Sequence, residues 1–288
     1  QNFRLSDLFI NSISKAEKVK DIWYQSHYNS SVRINISSYP DFDAILNNTY
    51  SYCDEICSIR SEVLQYCKNK YQQLLYICGN GGVGKTALIL SILNQFYTTM
   101  EIDPYTKKPV YGYTKLIFFT AKHKFFTLST SSASVSDTEA DISSYDDFLH
   151  KLSVLLDVPF DNSNNANKRE RLLLEQFERY KSKDRFLLMI DDLDSVDNGE
   201  QLKLEAFITQ MNPEVVKTIV TTRFLYDPSP SCLRISELTE KQSVEYARWV
   251  YRHNYGESWN TWTKSKTAES IIAKGGRGNP LRIKILIA

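Results

Sequence analysis

The chain has 288 residues, about two ordinary domains, and it is 42% hydrophobic and 24% charged. These fractions are typical of a globular protein and exclude a disordered tail, a coiled coil and a collagen-like chain. The 35 Lys and Arg residues almost cancel the 34 Asp and Glu residues, which leaves a net charge of +1. No overall charge therefore marks a nucleic-acid or membrane-surface binder, and such a role needs a local basic patch.

The cysteines and the chain ends bear on the cellular setting. The five cysteines form no Cys-x-x-Cys pair and have no histidine cluster beside them, which argues against a disulfide framework or a zinc site. Without a long apolar run or a signal peptide, the sequence predicts a cytoplasmic protein in a reducing compartment, with no membrane partner. The chain starts without Met and stops within a helix-like apolar run, so we expect it to be part of a larger protein.

Residues 1–40 show no regular period and are predicted to be a connector or N-terminal extension. Three-four spacing of apolar residues then predicts helices, at residues 43–70, 85–97, 145–156 and 169–180. Short continuous apolar runs predict buried strands, at residues 74–78, 115–120, 185–190, 217–221 and, more weakly, 232–235. Alternating strands and helices predict a parallel sheet with helices on both faces. The polar stretch 129–144 is predicted to be an exposed loop.

The residues after Leu238 have only helical character, and Thr239 with Gln242 forms the pattern of a capping box. This region is locally basic, with nine Lys or Arg residues and four Glu residues from Glu240 to Lys284. We therefore predict two folded parts, a nucleotide-binding domain at residues 41–238 and a helical lid domain at 239–288. The basic charge suits a solvated face, a phosphate-facing lid or a nucleic-acid surface.

A glycine-rich segment after the first strand matches the phosphate-loop pattern GxxxxGK[ST]. Its residues are Gly79, Asn80, Gly81, Gly82, Val83, Gly84, Lys85 and Thr86. Glycines let backbone N–H groups approach a polyphosphate, and the following helix points its positive end at the phosphates. Lys85 is expected to reach the β and γ phosphates, and the Thr86 hydroxyl to hold Mg²⁺.

Two carboxylates follow the apolar run that ends at Ile190. Adjacent acids after a buried strand are costly unless a cation or hydrogen bonds offset their charge. We expect Asp191 to bind Mg²⁺ through water, and Asp192 to orient the attacking water or accept its proton. Asp194 is interpreted as a helix cap or loop residue.

Two further segments lie where a ligand could be contacted. Arg223 follows the strand at 217–221, and an arginine at the carboxyl edge of a parallel sheet can bind a γ-phosphate with two nitrogens. Pro280 opens a helix after Gly278 and Asn279, a position that proline also takes for structural reasons alone.

Together these motifs resemble the STAND class of P-loop ATPases, and within it the NB-ARC-like group. The matching segments, in order over about residues 74–288, are GNGGVGKTALI, which extends the phosphate loop to Ala87, LLMIDDLD, KTIVTTR and GNPL. The resemblance implies an α/β P-loop NTPase fold of the ASCE/AAA+-like kind, with sheet order 2-3-1-4-5 and a small helical domain. It implies ATP/ADP binding with Mg²⁺, slow hydrolysis using Lys85, Asp192 and Arg223, and adenine packing against Pro280.

The resemblance also implies a switch. In such proteins ADP holds a closed monomer, and exchange for ATP opens it into an oligomer that activates an attached effector, in prokaryotes including antiviral defence. The effector and the sensor domains would lie outside this chain. The usual nucleotide-loop signature upstream is not evident, and residues 36–42 are the nearest candidate.

Two other classes compete with this interpretation. An AAA+ DNA-associated ATPase or loader suits the basic helical region, but it predicts Glu at position 192, where this chain has Asp. A small-molecule kinase would need a compact lid rich in arginine, whereas the basic residues here are scattered over helices.

Overall fold

The computed structural model describes residues 21–25, 31–35, 54–98, 113, 115–128, 133–137, 140–159, 166–181, 185–224, 231–255 and 274–287. The strands are β1 Asp21–Gln25, β2 Ser31–Asn35, β3 Leu74–Cys78, β4 Lys115–Thr120, β5 Lys124–Leu128, β6 Ala133–Asp137, β7 Phe186–Asp191, β8 Val216–Thr222 and β9 Cys232–Arg234. The helices are α1 Asp54–Lys68, α2 Lys85–Thr98, α3 Tyr145–Leu155, α4 Ala166–Tyr180, α5 Asn198–Gln210, α6 Glu240–Tyr255 and α7 Pro280–Ile287, with a 3₁₀ turn at Leu193–Ser195.

Five of the strands form one parallel sheet in the order β4-β7-β8-β3-β9. Numbered along the chain, this order is 2-3-4-1-5, so the expected order 2-3-1-4-5 is wrong. Strand β8 lies between β3 and β7, and pairs with both. Apolar runs identify strands but do not say where a crossover inserts the next one. The predicted α/β class, a parallel sheet with helices, is confirmed.

Side chains alternate between the two faces of this sheet and build two apolar clusters. On β4, Leu116 and Phe118 join one cluster, while Ile117 and Phe119 join the other. The first cluster contains residues of α1 and α2, and also Leu238 and residues of α6 and α7. The second contains residues of α3, α4 and α5. Helices therefore cover both faces, and the boundary predicted at residue 238 stays a prediction.

Two expectations from the sequence need correction, and one stays a prediction. The predicted connector or N-terminal extension at 1–40 is not tested as a domain assignment, but it contains an antiparallel pair, β1 and β2, and β2 lies alongside β4. The predicted loop at 129–144 contains β6, which pairs with β5 in a hairpin because its alternating residues can extend an antiparallel ladder. A disulfide joins Cys78 to Cys232 on neighbouring strands, a pairing that no local spacing reveals because 154 residues separate them.

One further prediction is confirmed, and others lie partly or wholly outside the described residues. The capping box is confirmed, since the Thr239 N–H donates to Gln242 Oε1 at 2.8 Å and the Gln242 N–H donates to Thr239 Oγ1 at 3.3 Å. The nucleotide-loop candidate at 36–42 and the first part of the helix predicted at 43–70 lie outside the described residues. Within the described parts of the chain, no helix is both long and apolar enough to cross a lipid bilayer.

We expect Phe148→Ala to lower the free energy of unfolding by about 3–5 kcal/mol. The Phe148 ring is fully buried and packs edge-on against Phe119 and Phe207, at centroid distances of 5.9 and 6.2 Å. Val154→Ala is the matched control, because Val154 lies on the same helix but is 52% exposed, and it should cost about 0.5 kcal/mol or less. Urea unfolding of both variants measures the difference, and equal destabilisation would contradict the packing.

Candidate phosphate and metal site

The candidate site lies at the carboxyl edge of the parallel sheet. Because the strands run in the same direction, the residues that follow β3, β4, β7 and β8 meet at this edge. The phosphate loop follows β3, the two acids end and follow β7, and Arg223 follows β8.

The phosphate loop turns through backbone conformations that need glycine. Gly82 has a φ of 83° and Gly84 a φ of 106°, both in the left-handed region. Val83 points into the apolar cluster and anchors the loop, and α2 begins at Lys85. The loop thus presents the N-terminus of a helix, which favours an anion.

Lys85 is 7% exposed and turns toward the loop that precedes it. Its Nζ donates to the carbonyl oxygens of Gly79 at 2.7 Å and Asn80 at 3.1 Å. Burial lowers the pKa of Lys85, and the carboxylates of Asp194, Asp192 and Asp191 oppose that shift. The side chain is therefore held within the loop, where a polyphosphate could replace the carbonyls as its partner.

Asp191 connects three elements at the centre of the site. Its carboxylate is fully buried. The hydroxyl of Thr86, on α2, lies 2.9 Å from both carboxylate oxygens, and the hydroxyl of Thr221, on β8, lies 2.6 Å from Oδ1. Lys122 adds a positive charge, with Nζ 3.8 Å from Asp191 Oδ2 and 3.2 Å from Thr86 Oγ1. Hydroxyl and carboxylate oxygens are ligands that Mg²⁺ prefers, so Thr86 and Asp191 fit this cation.

Asp192 adopts a left-handed backbone, with φ 61° and ψ 44°. Its N–H donates to Thr221 Oγ1 at 2.8 Å, and its Oδ2 accepts a hydrogen bond of 2.7 Å from the Ser195 hydroxyl. Aspartate tolerates this conformation better than most residues. The turn separates the two carboxylates, since Asp191 points to Thr86 while Asp192 faces Arg223.

Arg223 contacts two acids. Its Nε lies 3.1 Å from Asp194 Oδ2, and an outer nitrogen lies 3.9 Å from Asp192 Oδ1. The Arg223 N–H also donates to Asp194 Oδ1 at 2.9 Å. Asp194 thus lies in the 3₁₀ turn and positions the arginine beside Asp192.

Asn279, which precedes α7, and the first residues of α7 contact the phosphate loop directly. The Asn279 side chain donates to the carbonyl of Gly81 at 2.8 Å, and its Oδ1 accepts from the N–H of Leu281 at 3.1 Å. The Leu281 N–H also lies 3.3 Å from the carbonyl of Gly82. Pro280 is buried in the first turn of α7. A movement of the phosphate loop would therefore change hydrogen bonds at the start of α7.

Most predicted site residues meet at this edge, and the sequence reasoning missed three that also contribute. The sequence identifies Thr221 only as part of a strand and Asn279 only as part of GNPL, and it does not single out Lys122. The sequence could have identified Lys122 as a site residue, because it comes two residues after a predicted buried strand. Side chains at this end of a parallel sheet reach ligands. Nothing local indicated that Thr221 would lie beside Asp191.

The fold and this edge define a P-loop nucleoside triphosphatase. A model of the family described as AAA domain matches residues 68–225, more than half of the chain, and the chain belongs to this family. The family implies nucleoside triphosphate hydrolysis in general. The comparison with curated proteins returned no match.

Two solved structures show the same fold. Cdc6p from Pyrobaculum aerophilum is 13% identical, with a TM-score of 0.50 over 86% of this chain and 64% of that one. The Orc1 protein of Aeropyrum pernix, solved in complex with DNA, is 15% identical, with a TM-score of 0.53 over 83% of this chain and 60% of that one. The chain thus spans less than two thirds of both proteins, and at these identities the likeness concerns the fold alone.

We expect Gly82→Ala to destabilise the nucleotide-free protein by about 1–2 kcal/mol or more, because its φ of 83° is left-handed. An added Cβ would also lie 2.7 Å from Asn279 Oδ1 and 2.9 Å from Leu281 Cβ. Gly81→Ala is the control, since a Cβ there meets no atom within 4 Å. Thermal unfolding of both variants tests whether backbone conformation and close packing constrain Gly82, and a Gly81 variant as unstable as the Gly82 variant would refute it.

Proposed function

We propose that the chain is the ATP-hydrolysing part of an AAA+ protein, and that it binds ATP or ADP together with Mg²⁺. One observation carries this proposal. The hydroxyls of Thr86 and Thr221 both hydrogen-bond the Asp191 carboxylate, next to a phosphate loop that leads into a helix. A fully buried carboxylate against a hydroxyl, beside the loop, would be suited to hold a cation that neutralises phosphate charge.

The residues divide the work as follows. The loop from Gly79 to Thr86 binds the phosphates through its N–H groups, and Lys85 contacts the β and γ phosphates. Thr86 and Asp191 would hold Mg²⁺, which neutralises phosphate charge when bound. Asp192 orients the attacking water or accepts its proton, and Arg223 stabilises charge on the γ-phosphate. Hydrolysis is slow, because Asp192 is short and already occupied by Ser195 and Arg223.

Nucleotide state acts on the helical region through the first turn of α7. Asn279 binds the loop carbonyl of Gly81, so a loop that closes on phosphates must adjust this contact. Pro280 lies next to it and packs against adenine in our proposal. ATP and ADP would thus favour different positions of α7, which is the basis of a switch.

The biological setting that we favour is a DNA-associated ATPase. The fold matches Cdc6p and an Orc1 protein solved in complex with DNA, which supports this setting. The helical region also exposes basic side chains, at Lys241, Arg248, Lys274, Arg277 and Arg282. Such a surface can contact a phosphate backbone without reading sequence.

The second candidate is a regulatory switch of the STAND type, acting in signalling or antiviral defence. Asp rather than Glu at position 192 and Arg223 beside it favour this setting. It adds self-association in the ATP state and an effector outside this chain. Identifying the nucleotide that the purified protein releases on denaturation helps to distinguish the DNA-associated ATPase from the STAND-type switch. Near-stoichiometric ADP supports a resting switch. Protein without nucleotide that turns over added ATP rapidly opposes it.

We expect Lys85→Ala to abolish nucleotide binding, because it removes the cation that contacts the β and γ phosphates. Asp192→Ala should keep binding and slow hydrolysis by about 100-fold or more. Calorimetric titration with ATP and a phosphate-release assay measure the two effects. ATP affinity unchanged by Lys85→Ala, or undiminished turnover in Asp192→Ala, would contradict these roles.

If DNA is the partner, the affinity for a duplex should fall steeply with salt. The double variant Lys241→Ala/Lys274→Ala should then reduce the salt slope by about 1–2, because each phosphate that a lysine neutralises contributes about 0.9 to the slope. The control Lys181→Ala/Lys203→Ala removes two exposed lysines that pair with Glu214 and Glu200 outside the helical region, and should leave the slope unchanged. Absence of duplex binding at low salt would favour the STAND setting.

A further inference from the structure

The backbone of Lys122 is held by the end of the sheet. Strand β4 ends at Thr120, opposite Asp191 on β7. The ladder continues one residue further, because the Ala121 N–H donates to the carbonyl of Asp191 at 2.9 Å. The Lys122 N–H then donates to Thr120 Oγ1 at 3.1 Å. The backbone of Lys122 is therefore held in a defined position at the edge of the sheet where the phosphate loop lies.

The ammonium of Lys122 contacts both groups that we assign to Mg²⁺. Its Nζ lies 3.2 Å from Thr86 Oγ1 and 3.8 Å from Asp191 Oδ2. A buried carboxylate needs a positive partner, and this ammonium supplies one without a metal. The side chain is 31% exposed, so it can leave by rotating its flexible stem toward solvent.

We propose that Lys122 is a positioning residue, which holds Thr86 and Asp191 together in the metal-free protein and competes with Mg²⁺ for them. This inference rests on the nucleotide and Mg²⁺ site proposed above. A divalent cation that binds Thr86 and Asp191 must displace the ammonium. Lys122 then makes binding of the cation weaker than the two oxygen ligands alone would allow.

Lys122 should have the opposite effect on the binding of nucleotide in the absence of metal, which it strengthens. Asp191 repels the phosphates, and Lys122 offsets that repulsion while it pairs with the carboxylate. Removal of the Lys122 charge should therefore weaken metal-free nucleotide binding and strengthen the response to Mg²⁺. A residue that only stabilised the fold would shift both affinities in one direction.

The test uses a fluorescent ADP analogue with the wild-type chain and Lys122→Met. Affinity is measured in EDTA, and the Mg²⁺ concentration that gives half of the metal-dependent gain is measured by titration. For Lys122→Met we expect affinity in EDTA to fall about tenfold and the half-saturating Mg²⁺ concentration to fall about tenfold, within the usual range for coupled sites. Lys122→Arg keeps the charge and should retain the affinity in EDTA.

The matched control is Lys181→Met, which removes an equal charge from an exposed pair with Glu214, after α4 and away from this edge. It should change neither value. Thermal unfolding checks that each variant is folded, and Lys122→Gln replaces the Met variant if that one is not. The role of Lys122 is overturned if Lys122→Met changes neither value. It is also overturned if the variant binds the ADP analogue more weakly in EDTA and needs more Mg²⁺ for half of the metal-dependent gain. A wild-type chain that binds no ADP analogue in either buffer refutes the proposed nucleotide site itself, and the inference with it.

Discussion

The phosphate edge depends on one buried charge, the carboxylate of Asp191. It is fully buried and would be strongly unfavourable without partners. Two hydroxyls and an ammonium, from Thr86, Thr221 and Lys122, offset it, and each comes from a different part of the chain. Satisfying this group brings α2, β8 and the end of β4 together, so the geometry of the loop and of the two acids follows from it.

The strand order has a direct role in this arrangement. Because β8 lies between β7 and β3, the Thr221 hydroxyl can bind the Asp191 carboxylate and also accept from the Asp192 N–H. The next residues of β8 then place Arg223 beside Asp192 and Asp194. With β3 directly against β7, no strand would separate the phosphate loop from the acids, and these contacts could not form.

The phosphate loop packs both against the residue that follows β9 and against the helical region. Gly79 has no room for a side chain because the carbonyl of Ile235 lies 2.5 Å from where its Cβ would be, and a Cβ at Gly82 would lie 2.7 Å from Asn279 Oδ1. Apolar residues of α6 and α7 also join the cluster that contains α2. The loop is therefore packed directly against the residues that lead to the two helices after the sheet.

The sequence by itself determined the local features. The runs at 74–78 and 115–120 match β3 and β4 to the residue, because buried strands need continuous apolar residues, and the loop from Gly79 to Thr86 is read from glycine spacing and its lysine. The fold class followed from the alternation of strands and helices. Only the tertiary structure decided the order of the strands, the pairing of Cys78 with Cys232, and the meeting of Lys122, Thr221 and Asp191. The physical reason is that these contacts join residues far apart in the chain, and apolar periodicity records that a strand is buried but not which strand lies beside it.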